Sequence, residues 1–547
     1  MSNATGIAAT STTRLWSRLA AASVVVWAFV MSCTPLVDFD IWWHLKTAEL
    51  IVQRGALPFG DWFTFTENDA AWVDLHWGFQ LLARLIYGVA GVPGLVFATA
   101  LALSMTVAIG FLTFGHKLHP SMQVAVWSLA AIGLSGRSLA RPELVTIVAL
   151  AIWLWILERQ KQHPRWLWLL PFVQWLWSNC HALSVLGLVV ASAFTADVIL
   201  RLKLRSGEVG SPSQPSIASL GKLWAALILA SFANPYLEAG AFFPWVLFQK
   251  LSSEQAFYAT RIEEFLPPLE FMRQVGFRSW HFDAVILLWL ITLMSFGIRA
   301  WLPAKDSKAG MRVDWFKLML FVAFSFLGWK MLRNLSLLVV VAANVAVDNL
   351  GSTDGDEIRK RFLPGALQSV SNARLLMIQV AVILVLGVCH VTGHWGQWTG
   401  SFEGFGFSER TNWFAHRAAV FAGQPRMPDR AFVSNIGQAG VFIFHNSPER
   451  LVFMDGRLEV CSRRTFETFE LALALMAKGD PSFVNLLGGR DEHGQLPSVV
   501  LDTRASRAAI LGLVRIPTWR MVFADEVAVV FIESSLADEL RLPAVAR

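Results

Sequence analysis

Two carboxylates stand two residues apart in the stretch Val37-Asp38-Phe39-Asp40-Ile41-Trp42-Trp43-His44-Leu45. A positioned carboxylate can take the proton of an attacking hydroxyl. Asp38, Asp40 and His44 together could also supply oxygen and nitrogen ligands to a divalent cation such as Mg2+ or Mn2+. The plainer alternative is helix capping, because Asp is favoured where a helix begins. Capping accounts for one aspartate and requires neither the second nor His44. Behind the pair, residues 41–54 place Ile41, Leu45, Ala48, Ile51 and Val52 on one face, with Lys46, Glu49, Gln53 and Arg54 opposite. That spacing predicts an amphipathic helix able to lie in a membrane interface, ended by Gly55. A second such segment, 72–87, bears Asp74, His76 and Arg84. The paired tryptophans are also what interfacial anchoring alone would place there.

The elements that must position these groups follow from composition. Of 547 residues, 55% are hydrophobic and only 16% charged, with 25 Trp, 40 Phe and 3 Tyr. Mean hydropathy is +0.49. A soluble protein carries about a quarter charged residues, so a cytosolic enzyme, a disordered chain and a disulfide scaffold are excluded. The class is a polytopic α-helical membrane protein. The net charge of +6 fits basic cytoplasmic loops, and no nucleic-acid partner is implied. Cys33, Cys180, Cys389 and Cys461 lie far apart, without metal or disulfide spacing.

Runs of about 20 apolar residues predict about eleven spans: 16–36, 92–114, 121–137, 142–158, 166–182, 183–200, 219–234, 282–302, 314–331, 335–349 and 373–392. Arg14 and Arg18 precede the first and place the N-terminus in the cytoplasm. Alternation then puts Lys117, Arg159, Lys161, Arg165, Arg201, Lys203, Arg205, Arg299, Lys305, Lys308, Arg312, Arg359, Lys360 and Arg361 inside. Residues 206–218 read as a Ser/Pro/Gly-rich inner loop. The first span reads as an uncleaved signal anchor. Residues 1–393 form the transmembrane portion with an outer loop at 37–91, and 394–547 form a small extracytoplasmic α/β domain. In that tail, strands are expected at 431–434, 451–454 and 498–501. Helices are expected at 464–476 and 504–514, and a hairpin joins 521–524 to 527–532.

The acidic motif and the stretch after it resemble the GT-C superfamily of membrane glycosyltransferases, which includes protein O-mannosyltransferases, the aminoarabinose transferase of lipid A and oligosaccharyltransferases. The likeness is strongest to a bacterial branch with an Asp-x-Asp-x-Trp-Trp-His-Leu opening followed by Gly55, Pro58, Asp61, Thr64 and Thr66. Weaker matches continue through Arg141-Pro142, Trp177-Ser178-Asn179-Cys180-His181, Asn234-Pro235, Glu264-Phe265, Arg333-Asn334 and Met454-Asp455-Gly456-Arg457. The resemblance implies a GT-C arrangement, a lipid-phosphate-linked sugar donor and a catalytic Asp in the first outer loop. It also implies a bacterial inner-membrane location.

In this scheme Arg137, Arg141, Glu143, His181, Asn234, Arg261, Glu263, Glu264, Arg333 and Asn334 all fall near the outer face, with Asp40. Polar groups near hydrocarbon are functional candidates, although each alone could simply snorkel to water. Arginine outside runs against the usual bias. Arg137, Arg141, Arg333 and Arg261 therefore call for an anionic partner, for which a lipid phosphate suits the guanidinium fork. The expected reaction is inverting transfer from a polyprenyl-phosphate sugar to an acceptor hydroxyl on a glycan, lipid or protein. Asp40 is the base, with Asp38 as alternative base, orienting group or metal ligand. His44, His76, Glu143, His181, Asn234, Glu263, Glu264 and Asn334 would line the substrate site. Asp455-Gly456-Arg457 reads either as an acceptor-selecting feature or as a simple Asp-Gly turn. The rival classes are a lipid-linked-sugar flippase and a non-catalytic envelope assembly protein of the same fold. A flippase usually shows repeated halves, and the sequence contains no repeat.

Overall fold

The computed structural model describes residues 2–68, 70–114, 118–204, 215–276, 279–302, 314–353, 355–362, 365, 370–399 and 404–545. Lys117, Arg205, Lys305, Lys308, Arg312 and residues 206–214 of the expected inner loops lie outside the described residues. The chain forms two compact units. One comprises Met1–Pro35 and Val92–Ser408, the other Leu36–Gly91 and Glu409–Arg547. The loop at 37–91, grouped with the transmembrane portion in the sequence reading, thus packs with the tail.

The first unit is helical, and every expected apolar run folds mainly as helix. Six helices among the described residues are long and apolar enough to cross a membrane. They are Thr12–Ser32, Trp77–Phe114, Ala182–Lys203, Trp280–Trp301, Leu332–Gly351 and Asn372–Val391. Ile217–Phe232 and Leu237–Lys250, bent by 94°, make a seventh if counted as one span. The other expected runs fold as shorter helices. Pro120–Ser135 has 16 residues, Glu143–Arg159 17, Trp315–Lys330 16 and Leu170–Ser178 only 9. At about 1.5 Å per residue these helices are about 14 to 26 Å long, and the longest lies at the lower limit for a span. Hydropathy runs had included flanking turns, such as the 3-10 turn Pro164–Leu169. The helix Trp77–Phe114 breaks at Gly91, whose φ of 59° a side chain would oppose. The break leaves 92–114 as the expected span.

Leu335–Gly351 is buried at every residue, as a helix apolar on all sides must be. It packs against Trp280–Trp301, Trp315–Lys330, Pro120–Ser135 and Glu143–Arg159. A β-carbon on Gly133 would meet Val285 and Val339 at 3.1 Å, so the helices approach closely there. Both ends of this central helix are tied to charges. Ser336 Oγ donates to Glu143 Oε1 at 2.8 Å. About 18 Å along the axis, Asp348 accepts from Lys317 and, at 3.3 Å, from Arg299. A cavity of about 400 Å³ borders the second end.

The second unit holds a five-stranded sheet in the order β2-β1-β3-β5-β4. Its strands are β1 Arg430–Val433, β2 Leu451–Val452, β3 Ser498–Asp502, β4 Trp519–Ala524 and β5 Ala528–Glu533. β2, β1 and β3 run parallel, and β5 is antiparallel to both β3 and β4. These strands lie where the sequence placed them. So do the helix Arg463–Lys478 and the hairpin, where Asp525 Oδ1 accepts the amides of Val527 and Ala528 at 2.9 Å. The first-loop segment 63–65 closes the outer edge of β2. Val452 N donates to Phe63 O at 2.8 Å, and Phe65 N donates to Val452 O at 3.1 Å. An open strand edge is thereby paired by residues almost four hundred positions earlier.

Candidate functional site

Asp40–Arg54 is a helix, and Gly55 ends it in the left-handed conformation with φ 60°. Unlike the expected interfacial helix, it is buried nearly all round, including Trp42, Trp43, His44 and Lys46. The helix Ile436–Asn446, which the sequence reading did not identify, covers it. A β-carbon on Gly437 would stand 2.7 Å from the Phe39 ring, and one on Gly440 would stand 2.9 Å from the Phe39 carbonyl oxygen. These two glycines let the covering helix seat on the start of the acidic motif. Trp42 fits an aromatic box of Tyr87, Phe414, His416 and Phe444. The paired tryptophans are therefore interior packing within this unit.

The two aspartates divide their work. Asp38 is buried, and its Oδ1 accepts the Asp40 amide at 3.2 Å, a local turn that starts the helix. Asp38 thus holds the turn that leads into the helix, while Phe39 occupies the N-cap position. Asp40 is the first helical residue and is half-buried. Its Oδ1 would lie 3.1 Å from a β-carbon on Gly456, so the tail's Asp455-Gly456-Arg457 adjoins the first-loop carboxylate.

Arg457 is fully buried there. Its guanidinium forks onto Asp455, with contacts of 3.0, 3.0 and 2.6 Å, and reaches Asp61 Oδ1 at 2.6 Å. The rings of Trp72 and Phe63 flank it at 4.3 and 4.8 Å. Asp61 also accepts the amides of Phe63 and Thr64 at 3.1 and 2.8 Å and the Thr64 hydroxyl at 2.5 Å. Burial alone would raise the Asp61 pKa, but Arg457 and these donors hold it below the ordinary carboxylate range. At Asp455 burial wins over Arg457 and the value is pushed up, with Asp61 adding to the rise. Burial works against the charge on Arg457, yet the two carboxylates hold it firmly protonated.

A third wall joins His44, Asp74, His76 and Gln80. Gln80 Nε2 lies 3.2 Å from His44 Nδ1 and donates to Asp74 Oδ1 at 3.1 Å, while His76 Nδ1 lies 3.5 Å from Asp74. Gln80 was not among the expected site residues, and only its place one helical turn after His76 could have flagged it. Burial raises the Glu459 pKa against the opposing effect of His76. Among the described residues, no three His, Cys, Asp or Glu side chains converge to hold a metal ion, the Asp38, Asp40 and His44 set included.

In the other unit, Arg137 pairs with Glu143 at 2.8 Å and with Glu264 at 3.2 Å, and Arg141 pairs with Glu264 at 2.6 Å. Burial would raise the Glu264 pKa, but Arg141, Arg137 and Arg333 bring it down to about 2. Three expected arginines and two expected glutamates are thus gathered from the turn after Pro120–Ser135, the start of Glu143–Arg159, the 3-10 turn Glu263–Phe265 and the 3-10 turn Leu332–Asn334. The remaining candidates stand elsewhere or serve local structure. Arg261 is exposed, over its own Phe257 ring and bonded to Thr260. Glu263 is exposed. His181 Nδ1 meets Thr146 Oγ1 at 2.6 Å, and that hydroxyl accepts from Trp177 at 2.8 Å. Asn234 secures the bend between its two helices through Ser231, Tyr236 and Leu237. Asn334 donates to the Leu327 carbonyl.

No protein-family model matches the chain, and no curated protein matches it in sequence. Solved structures do. The oligosaccharyltransferase of Archaeoglobus fulgidus, tethered to an acceptor peptide containing an NVT sequon, superposes with a TM-score of 0.53 at 12% identity, over 94% of this chain and 74% of that one. Its apo form gives 0.53 at 14% identity, over 88% and 70%. A complex of it with zinc and sulfate gives 0.50 at 12% identity, over 88% and 68%. At such identities the likeness shows the fold. The chain shares the fold of these solved structures.

Proposed function

We propose that this protein is a membrane glycosyltransferase that moves a sugar from a polyprenyl-phosphate donor to an acceptor hydroxyl at the outer face of the cytoplasmic membrane. The observation that carries the reading is the division between the two aspartates. Asp38 is buried and holds the turn through one oxygen, whereas Asp40 places a half-buried carboxylate at the head of a largely buried helix. The fold shared with an oligosaccharyltransferase supports the same class.

Asp40 takes the acceptor hydroxyl's proton as its oxygen attacks the anomeric carbon. The bond from that carbon to the lipid phosphate oxygen breaks, and its electron pair leaves on the phosphate. One displacement with no covalent sugar intermediate inverts the anomeric centre. Arg137, Arg141 and Arg333 stabilise the charge that grows on the leaving phosphate. Three guanidiniums against two carboxylates leave one net positive charge in this set, and Glu143 and Glu264 fix the forks in orientation. His44 and His76 would face the sugar or acceptor.

One similar structure is a complex with zinc and sulfate. Among the described residues Asp38, Asp40 and His44 do not converge as a three-ligand set, and a divalent ion would be held by the two aspartates. No step is assigned to a metal.

The test is incubation of purified, reconstituted protein with a labelled polyprenyl-phosphate sugar and a membrane extract. Transfer with inversion supports the enzyme. Movement of the label between leaflets without transfer identifies a flippase, and neither result leaves a scaffold.

A further inference from the structure

Asp455-Gly456-Arg457 has a geometry that a simple turn does not need. Its arginine is wholly buried, holds two carboxylates and is clasped by two aromatic rings. A buried charge survives only when so paired. One of the carboxylates, Asp61, belongs to the first loop and itself gathers the turn 61–64. The guanidinium therefore pins the end of the tail's β2 region to the loop that carries the acidic motif. The residue between the two pinning side chains is a glycine, and its α-carbon faces Asp40. Within 4 Å of where its β-carbon would stand there is one atom outside its chain neighbours, Asp40 Oδ1 at 3.1 Å. Gly456 is absent from the residues with left-handed φ, so its backbone conformation is one alanine can adopt. What this position lacks is room, and the room is occupied by a single carboxylate oxygen.

We infer that Gly456 and Arg457 are positioning residues for Asp40, so that the tail forms one wall of the catalytic carboxylate and sets its direction. Arg457 fixes the wall and Gly456 leaves it bare. The inference rests on Asp40 being the base. A base displaced by a few tenths of an ångström from its line to the hydroxyl loses rate while substrate binding changes little.

The experiment compares Gly456→Ala, Asp40→Asn and the double variant in full-length reconstituted protein. For Gly456→Ala the expected result is a fall in kcat on the order of tenfold, with KM and melting temperature unchanged and the acid limb of the kcat–pH profile shifted. In the Asp40→Asn background, the added methyl should change the residual rate no further. If Asp40→Asn abolishes transfer while Gly456→Ala is fully active, the positioning inference falls and the base stands. If Asp40→Asn is as active as the parent, the base assignment itself falls. A loss of activity in Gly456→Ala that merely follows a lowered melting temperature would reduce the contact to packing and overturn the inference.

Discussion

Arg457 and Asp61, 396 residues apart in the chain, share a fully buried hydrogen bond of 2.6 Å. Without Asp61, Arg457 stays paired with Asp455 but loses one buried acceptor, which costs about 1–3 kcal/mol. Asp61→Asn is therefore expected to lower the unfolding free energy by that amount at neutral pH.

The same pair makes the cost depend on pH. Asp61 has its folded-state pKa held below the ordinary value. Its stabilisation is fully present above the ordinary carboxylate range, ~4, and is lost as pH falls through the folded value. The stability gap between parent and Asp61→Asn should shrink in acid below about pH 4. Chemical denaturation of both proteins across that range checks this, and a gap constant with pH would contradict it.

Glu264 gives a second, independent acid signature. Its pKa of about 2 lies well under the ordinary carboxylate value of 4.5. The linkage is worth about 2–3 kcal/mol, present above roughly pH 4.5 and lost as pH falls toward 2. Glu264→Gln should destabilise the helical unit at pH 7 by about that much and by roughly half as much near pH 3. Thermal melts in detergent at both pH values measure the difference.

Three arginines should matter to transfer more than a fourth. Arg137, Arg141 and Arg333 share Glu264, whereas Arg261 is exposed on its own turn. Replacing any of the three by Gln should reduce kcat by about 100- to 1000-fold, the range for a lost charge-stabilising donor. Arg261→Gln should stay within a fewfold of the parent. Rates with a labelled donor rank the four variants, and an equal loss for all four would contradict the assignment.

Local patterns carried much of the architecture. Apolar runs marked the helices, and alternating short runs marked β1, β3 and the hairpin. Gly55 marked the end of Asp40–Arg54 because the left-handed cap is written in one residue. Two kinds of feature were not local. The pairing of 63–65 with β2 and of Asp61 with Arg457 joins residues nearly four hundred positions apart, and no periodicity announces it. Burial of the first-loop helix depends on Ile436–Asn446, whose glycines at 437 and 440 broke the apolar pattern and masked a helix capped by Asn435. Hydropathy sees the composition of a run and not how much of it is helix, so it did not give the lengths of the shorter helices. At the candidate site, residue types pointed to Asp38 and Asp40 together, and only the hydrogen bond from the Asp40 amide to Asp38 separated a turn-former from a candidate base.

Transfer of a labelled sugar from a polyprenyl-phosphate donor by Asp40→Asn, beside Asp38→Asn and the double variant, tests the account at its centre. The account predicts that Asp40→Asn folds and melts like the parent yet loses transfer, and that the double variant recovers none of it. Parent-like transfer by the double variant would contradict it.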